Sequence, residues 1–201
     1  MAQQKLHPDA QKVCDLIVAS GRPPIETLSP PEARVAYAAS RAVLQPDPEP
    51  VAEVVALEAR DRGGPRLVHQ LLVYPGTDMR MDWPSAERHA EQLPLTRAGM
   101  RWFIAHYLRS AADEADWRAS PLRAVSFEGL PPALIVTAGF DPLCDEDEAY
   151  AKALRSAGVA VVHELFEGQI HGFLSMGRIV ADCGRAIALG ASALRQSFAR
   201  A

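Results

Sequence analysis

The order of elements in the second half of the chain constrains the fold more than any other feature. Two short runs of β-branched and aliphatic residues, 133–138 (ALIVTA) and 160–166 (AVVHELF), are typical of strands, although the second is less purely apolar. Between them, residues 145–148 (DEDE) place negative charge in the first turn of a predicted helix that ends at Gly158. Strand, helix and strand in this order form a βαβ unit, in which the two strands are parallel neighbours. A parallel sheet is therefore expected.

A third strand and further helices accompany this unit. Residues 67–74 (LVHQLLVY) form another aliphatic run between turn residues, so the predicted sheet has three strands. The segment 75–132 is a long insertion with one strong helix after Thr96, whose apolar face holds Met100, Phe103, Ile104, Tyr107 and Leu108. A last helix covers about residues 177–198. The expected fold class is α/β, with a three-stranded parallel core and flanking helices.

The first fifty residues have a different, helical pattern. Residues 8–20 predict one helix, with Val13, Leu16 and Ile17 on one face. Residues 29–32 (SPPE) form a capping box that begins a second helix, so that the two make a small helical pair. Residues 45–50 (QPDPEP) exclude regular structure, because each proline removes a backbone donor and restricts the residue before it. A further helix is predicted from residue 51 to Gly63. We therefore expect a helical cap segment with a Pro-rich linker at 1–50, and an α/β unit at 51–201 with a cap insertion at about 79–118.

Composition excludes several classes of protein. The chain has 201 residues, of which 48% are apolar, and its net charge of -4 argues against nucleic acid or an anionic membrane as partner. Its apolar stretches are far shorter than the roughly 20 residues of a spanning helix, and the first seven residues lack the apolar core of a signal peptide. Cys14, Cys144 and Cys183 are odd in number and widely spaced, which argues against a disulfide framework or a zinc site. We expect a cytoplasmic protein without metal or cofactor.

Two polar residues stand where a parallel sheet gathers its active groups. Asp141 directly follows the predicted strand at 133–138, and His171 follows the strand at 160–166. If the strands are neighbours, the carboxylate can reach one imidazole nitrogen and fix the tautomer, while the other nitrogen exchanges a proton with a nucleophile. The plainer alternatives stay open at this point, because an aspartate before proline is often a turn residue and a loop histidine is often only solvated.

The neighbours of this pair have simpler interpretations. The acidic residues 145–148 are expected to be the solvated start of a helix, and Cys144 is expected to be a packing residue because no base partner for a thiolate is recognisable. The other histidines show no ligand spacing, so a metal site is not expected.

A series of motifs resembles a known family. From about Val55 to its end the chain resembles the carboxyl-terminal part of the hormone-sensitive-lipase group of α/β-hydrolase esterases, and residues 1 to about 54 resemble that group's cap helices and Pro-rich lead. The motifs are ARDRGGP (59–65), LLVYP (71–75) followed by Asp78, ASPL (119–122), GFDPLCDE (139–146) and GQIHGF (168–173). The resemblance implies an incomplete α/β-hydrolase fold, in which Asp141 is the acid and His171 the base of a catalytic triad. It also implies a short-chain acyl ester as substrate.

The sequence lacks two motifs that such a triad requires. Neither a G-x-S-x-G nucleophile elbow nor an HGGG-type oxyanion loop is present. The nearest alternatives are residues 190–194 (GASAL), which lie in a predicted helix, and Ser175, into which no strand leads. The motif order indicates a gap near Val54 and Val55, where roughly a hundred residues, or several βα units, are absent.

Two functions follow from this gap. The family resemblance predicts a carboxylic ester hydrolase of the esterase or lipase type that is catalytically impaired, because the serine nucleophile is missing. The alternative is a non-catalytic remnant or an interaction module, which associates with partners or with itself through an unpaired edge of the strand at residues 67–74.

Overall fold

The computed structural model describes residues 5–44, 56–64 and 67–200. Three parallel strands lie in the order β1, β2, β3, and their bounds are Gln70–Val73, Ala133–Phe140 and Val161–Ile170. The helices of the described residues are α1 (Pro8–Ala19), α2 (Pro30–Leu44), α3 (Ala56–Asp61), α4 (Pro84–Arg88), α5 (Arg97–Tyr107), α6 (Cys144–Ser156) and α7 (Asp182–Phe198). The expected α/β class with a three-stranded parallel core and flanking helices is confirmed.

The sheet is buried between two layers of helices. Side chains of β2 alternate between the two faces, so that Leu134 and Val136 lie in a core cluster with α1 and α7, and Ile135 lies in a second cluster with α6. Leu154 of α6 is completely buried in this second cluster. Burial of a leucine side chain contributes roughly 1.5–3 kcal/mol. β2 is thus covered on both faces, as its continuous apolar sequence predicts.

A close approach between β2 and β3 sets the register where both strands end. Gly139 lies so near the backbone of Glu167 that a Cβ atom would stand 2.2 Å from its carbonyl oxygen. The pairing shifts here, between Ala138 and Phe140, and Phe140 then pairs with Ile170. Glycine is required because the strands leave no room for a side chain. Both strands therefore run longer than their apolar sequences indicate, and they end side by side.

The amino-terminal helices begin where the sequence predicts, and α1 differs from the prediction in part of its buried face. α1 begins at Pro8 as predicted, but it packs through Ala10, Val13 and Cys14 onto the sheet, whereas Leu16 is exposed. α2 begins with the predicted capping box, in which Ser29 donates from its amide and its hydroxyl to Glu32 at 2.9 and 2.6 Å. The Pro-rich linker at 45–50, and Val51, Val54 and Val55, lie outside the described residues. The division into two units at residue 50 stays a prediction.

The insertion between β1 and β2 contains the predicted helix α5. Its amino end is capped by Thr96, whose hydroxyl accepts a hydrogen bond from the Gly99 amide at 3.0 Å. Of its predicted apolar face, Ile104 is buried, but Phe103 and Tyr107 are exposed. The apolar spacing predicted the helix correctly but only part of its buried face, because α5 lies at the surface of the insertion. No helix of the described residues is long and apolar enough to cross a bilayer.

Candidate active site

Asp141 and His171 are in contact at the carboxyl edge of the sheet. The His171 Nδ1 atom lies 2.8 Å from Asp141 Oδ2, with Asp141 completely buried and the histidine side chain 25% exposed. The other carboxylate oxygen accepts the backbone N–H of Leu143 at 2.9 Å. A carboxylate at Nδ1 favours the tautomer that carries its proton there, in which Nε2 is the acceptor. The proximity that the topology predicts is present, and the catalytic roles stay a prediction.

The backbone after His171 turns sharply to place the ring. Gly172 has a φ of +79°, in the left-handed region that favours glycine. A short 3₁₀ helix, Phe173–Ser175, follows, and Phe173 is completely buried in the core cluster of α1 and α7. The histidine is therefore anchored on one side by β3 and on the other by a buried aromatic ring.

Tyr74 is a neighbour of His171 that the sequence did not indicate. Its ring centroid lies 4.5 Å from that of His171, at an interplanar angle of 55°. Tyr74 follows β1 directly and has a φ of +36°, which is unusual for a residue other than glycine. Burial around the hydroxyl raises the pKa of Tyr74 above its ordinary value. The sequence signals were its place as the last residue of the predicted strand at 67–74 and within the LLVYP motif, and neither indicated a contact with His171.

The expectation that residues 145–148 are a solvated helix start is wrong for two of the four. Glu146 is buried, and its carboxylate accepts the backbone N–H groups of Thr77 and Asp78 at 2.5 and 3.0 Å. Burial raises the pKa of Glu146 to about 7. The side chain turns inward because the loop after β1 brings two buried amides that need an acceptor.

Asp147 is the second exception, on the same turn of α6. One of its oxygens accepts the hydroxyl of Thr137 at 3.0 Å, and burial raises the pKa of its carboxyl well above the ordinary value. The Thr137 hydroxyl also lies 2.9 Å from Nε2 of His163. This chain of side chains links β3 to β2 and β2 to α6, behind the carboxyl edge.

None of the serines in the described part of the chain donates a proton to Nε2 of His171. Ser175 donates to the Gly172 carbonyl at 2.8 Å, and Ser192 lies within α7, as its predicted helix implied. Cys144 is partly buried, and burial raises the pKa of its thiol to about 11, which disfavours the thiolate. Within residues 5–44, 56–64 and 67–200, no three acidic, histidine or cysteine side chains converge as metal ligands.

Hydrogen bonds and an ion pair connect the insertion to the loop that carries Asp141. The hydroxyl of Ser85 in α4 donates to the Pro142 carbonyl at 2.7 Å, and its amide donates to Asp145 at 2.8 Å. Arg88 adds an ion pair with Asp145 at 2.8 Å. α4 therefore lies directly beside the candidate site.

Comparison with known proteins extends this result. A family model described as the alpha/beta hydrolase fold matches residues 50–175. The chain is similar to a carboxylic ester hydrolase, LipN of Mycobacterium tuberculosis, with 47% identity over 127 residues, which are 63% of this chain and 34% of that protein. It is 36% identical to an ethyl acetate hydrolase of Pseudomonas putida, over 68% of this chain and 42% of the relative.

A solved esterase structure also resembles the chain over part of its length. The crystal structure of an esterase named rPPE matches with a TM-score of 0.62 and 39% identity, covering 67% of this chain and 43% of the other. The chain thus spans about a third to a half of the length of the curated relatives it matches. This partial coverage fits a chain without the segment that carries the elbow and the oxyanion loop. The family match and these relatives show that the chain belongs to the α/β-hydrolase fold family, in the hormone-sensitive-lipase group that its motifs resemble.

Proposed function

We propose that the chain carries the acid and the base of a carboxylic ester hydrolase. The observation that supports this most is the 2.8 Å contact between Asp141 and Nδ1 of His171, which engages one ring nitrogen and leaves the role of proton acceptor to Nε2. In this role His171 accepts the proton of a nucleophilic hydroxyl through Nε2 and then returns it to the leaving alcohol. Asp141 holds the tautomer and stabilises the protonated ring between these steps.

A small ester is the substrate class we propose. The name of one relative, a carboxylic ester hydrolase, supports an ester substrate, and that of the other, an ethyl acetate hydrolase, supports a short acyl group and a small alcohol. The His171 side chain is 25% exposed, so its ring can be reached by a small ester from the side of α4.

We also propose that the chain by itself is catalytically impaired. Its sequence contains neither a G-x-S-x-G elbow nor an HGGG-type loop. The members of a triad act as a unit, and loss of the serine alone costs on the order of a million-fold in kcat in a serine protease. Asp141 and His171 without a nucleophile therefore support feeble ester cleavage at most.

The test combines turnover with covalent labelling. The purified chain and the His171→Ala variant are incubated with p-nitrophenyl acetate and, separately, with a fluorophosphonate probe. We expect slow release of nitrophenol that depends on His171, and no labelled serine in the mass spectrum. Rapid turnover together with a labelled serine would show that a nucleophile is present after all.

A second candidate is an interaction module, for which the edge of the sheet is the supporting observation. In the described part of the chain β1 pairs only with β2, and Leu71 of β1 is 38% exposed. An unpaired apolar edge favours association with a second copy. Size-exclusion chromatography with light scattering tests this candidate, which requires a dimer or larger species that Leu71→Lys dissociates. We keep a reducing cytoplasm as the proposed location, which the three free cysteines support.

A further inference from the structure

Tyr74 adopts a backbone conformation that its neighbours must enforce. A φ of +36° is disfavoured for a tyrosine, because the side chain crowds the backbone in the left-handed region. The Tyr74 amide nevertheless donates to the Val136 carbonyl at 2.6 Å, so the residue is bonded to the sheet on one side. Such a conformation persists only where the surrounding structure holds it in place.

Glu146 holds the loop that follows Tyr74. Its carboxylate accepts the amides of Thr77 and Asp78, and it lies in the first turns of α6, 68 residues further along the chain than Asp78. The side chain is only 1% exposed, so water cannot replace these bonds. The same loop is bonded on its other side, where the Leu122 amide donates to the Thr77 carbonyl at 3.0 Å. The loop after β1 is therefore clamped between α6 and the turn at Leu122.

The clamped loop presses the ring of Tyr74 against His171. The two ring centroids are 4.5 Å apart, and Phe173 lies behind Tyr74 at 6.0 Å. Asp141 restrains the imidazole at Nδ1 only. The side-chain torsions of His171 still allow the rest of the ring to swing about that hydrogen bond. The ring of Tyr74, tilted by 55° against the imidazole, restricts that freedom.

The start of α6 positions both Asp141, which bonds His171, and Glu146, which bonds the loop after β1. The turn that leads into α6 holds Asp141 through the Leu143 amide, and α6 itself supplies Glu146. We infer that Glu146 and Tyr74 are positioning residues for His171: Glu146 fixes the loop after β1, and that loop holds Tyr74 against the imidazole. This inference rests on the proposed role of His171 as the base, and it adds two residues through which that base is oriented.

The test reads the state of the His171 ring directly and needs no turnover. Diethyl pyrocarbonate modifies accessible imidazole nitrogens, and mass spectrometry gives the rate at His171 in the folded protein. Long-range ¹H–¹⁵N spectra report which ring nitrogen carries the proton. Tyr74→Leu removes the aromatic ring, and Glu146→Ala removes the acceptor of the clamp. Tyr74→Phe and Glu146→Gln keep the ring and the acceptor.

We expect Tyr74→Leu and Glu146→Ala to raise the modification rate of His171 about two- to tenfold, the range that loss of one aromatic contact gives. Both should also mix the tautomers, whereas Tyr74→Phe and Glu146→Gln should restore the wild-type rate and spectrum. Tyr150→Leu is the matched control, since it removes a buried tyrosine from the core cluster of α6, away from His171. It should lower thermal stability without changing the ring of His171.

The inference is overturned if folded Tyr74→Leu or folded Glu146→Ala keeps the wild-type modification rate and tautomer. It is also overturned if Tyr150→Leu changes them to the same extent. If Glu146→Ala does not fold, the pair Tyr74→Leu and Tyr74→Phe still decides. Failure of the proposed function has a different signature, since it would appear as nitrophenol release that is independent of His171, whatever the state of the ring.

Discussion

Gly139 and Glu167 approach so closely that a Cβ atom on the glycine would lie 2.2 Å from the glutamate carbonyl oxygen. This approach occurs where the register shifts between β2 and β3, two residues before Asp141 and four before His171. The backbone contact therefore decides whether the acid and the base end up side by side.

Gly139→Ala should destabilise the protein by about 2–4 kcal/mol, because backbone on both strands must move to make room. Denaturant unfolding monitored by circular dichroism measures this change. Gly184→Ala is the control, since no heavy atom outside its own helix backbone and chain neighbours lies within 4 Å of the added methyl, and alanine in a helix is favoured by roughly 0.5–1 kcal/mol. Equal stability of wild type and Gly139→Ala would contradict the account of the register.

Glu146 should make stability depend on pH. Burial raises its pKa from an ordinary 4.5 to about 7, so between these values the folded state keeps a proton that the unfolded state has lost. The stabilising contribution is complete below about pH 4.5 and disappears as the pH rises through about 7. From about pH 5 to about pH 8, wild type should lose about 2 kcal/mol of stability relative to Glu146→Gln, which does not titrate. Parallel stability curves for the two proteins would count against the raised pKa.

The packing of α6 on the sheet gives a third prediction. Leu154 is completely buried against β2, so Leu154→Ala should cost about 2–5 kcal/mol through lost burial and a cavity. Val162 on β3 is more than half exposed, and Val162→Ala should change stability by less than about 0.5 kcal/mol. Chemical denaturation of both variants tests this, and similar midpoints would contradict the assignment of the core.

The ion pair between Asp78 and Arg123 should be worth more than the ion pairs at the surface. Asp78 is completely buried and receives two hydrogen bonds from the Arg123 guanidinium, at 3.1 and 2.5 Å. Arg123→Ala leaves a buried carboxylate with Trp83 and Arg80 as partners, so the loss should be about 1–3 kcal/mol. Arg109, which is 88% exposed beside Asp113, is the control, and Arg109→Ala should cost less than about 0.5 kcal/mol. Thermal melting of the two variants tests this, and equal losses in melting temperature would contradict the prediction.

The contact between Asp141 and His171 could be predicted from sequence because it depends on topology. Strand, helix and strand place the carboxyl ends of two strands side by side, and each residue follows its strand directly. The family resemblance then supplied an interpretation of the pair that spacing alone did not.

Glu146 and Tyr74 could not be predicted in the same way. Acidic residues at a helix start look solvated, and only the arrival of the loop after β1, distant in sequence, makes Glu146 an internal acceptor. The positive φ of Tyr74 likewise has no local signal, because tyrosine rarely adopts it by itself. The predicted face of α1 is wrong only at Leu16, which is exposed, since helical spacing leaves open how far the buried stripe turns toward the sheet.

The most direct test of the central claim is the tautomer of His171 in the isolated wild-type chain, read from long-range ¹H–¹⁵N spectra at neutral pH. The account predicts a proton on Nδ1, hydrogen bonded to Asp141, and a bare Nε2, with Asp141→Asn giving a mixture of tautomers. A proton held on Nε2 in wild type, or a spectrum that Asp141→Asn leaves unchanged, would contradict the claim that Asp141 prepares His171 as a base.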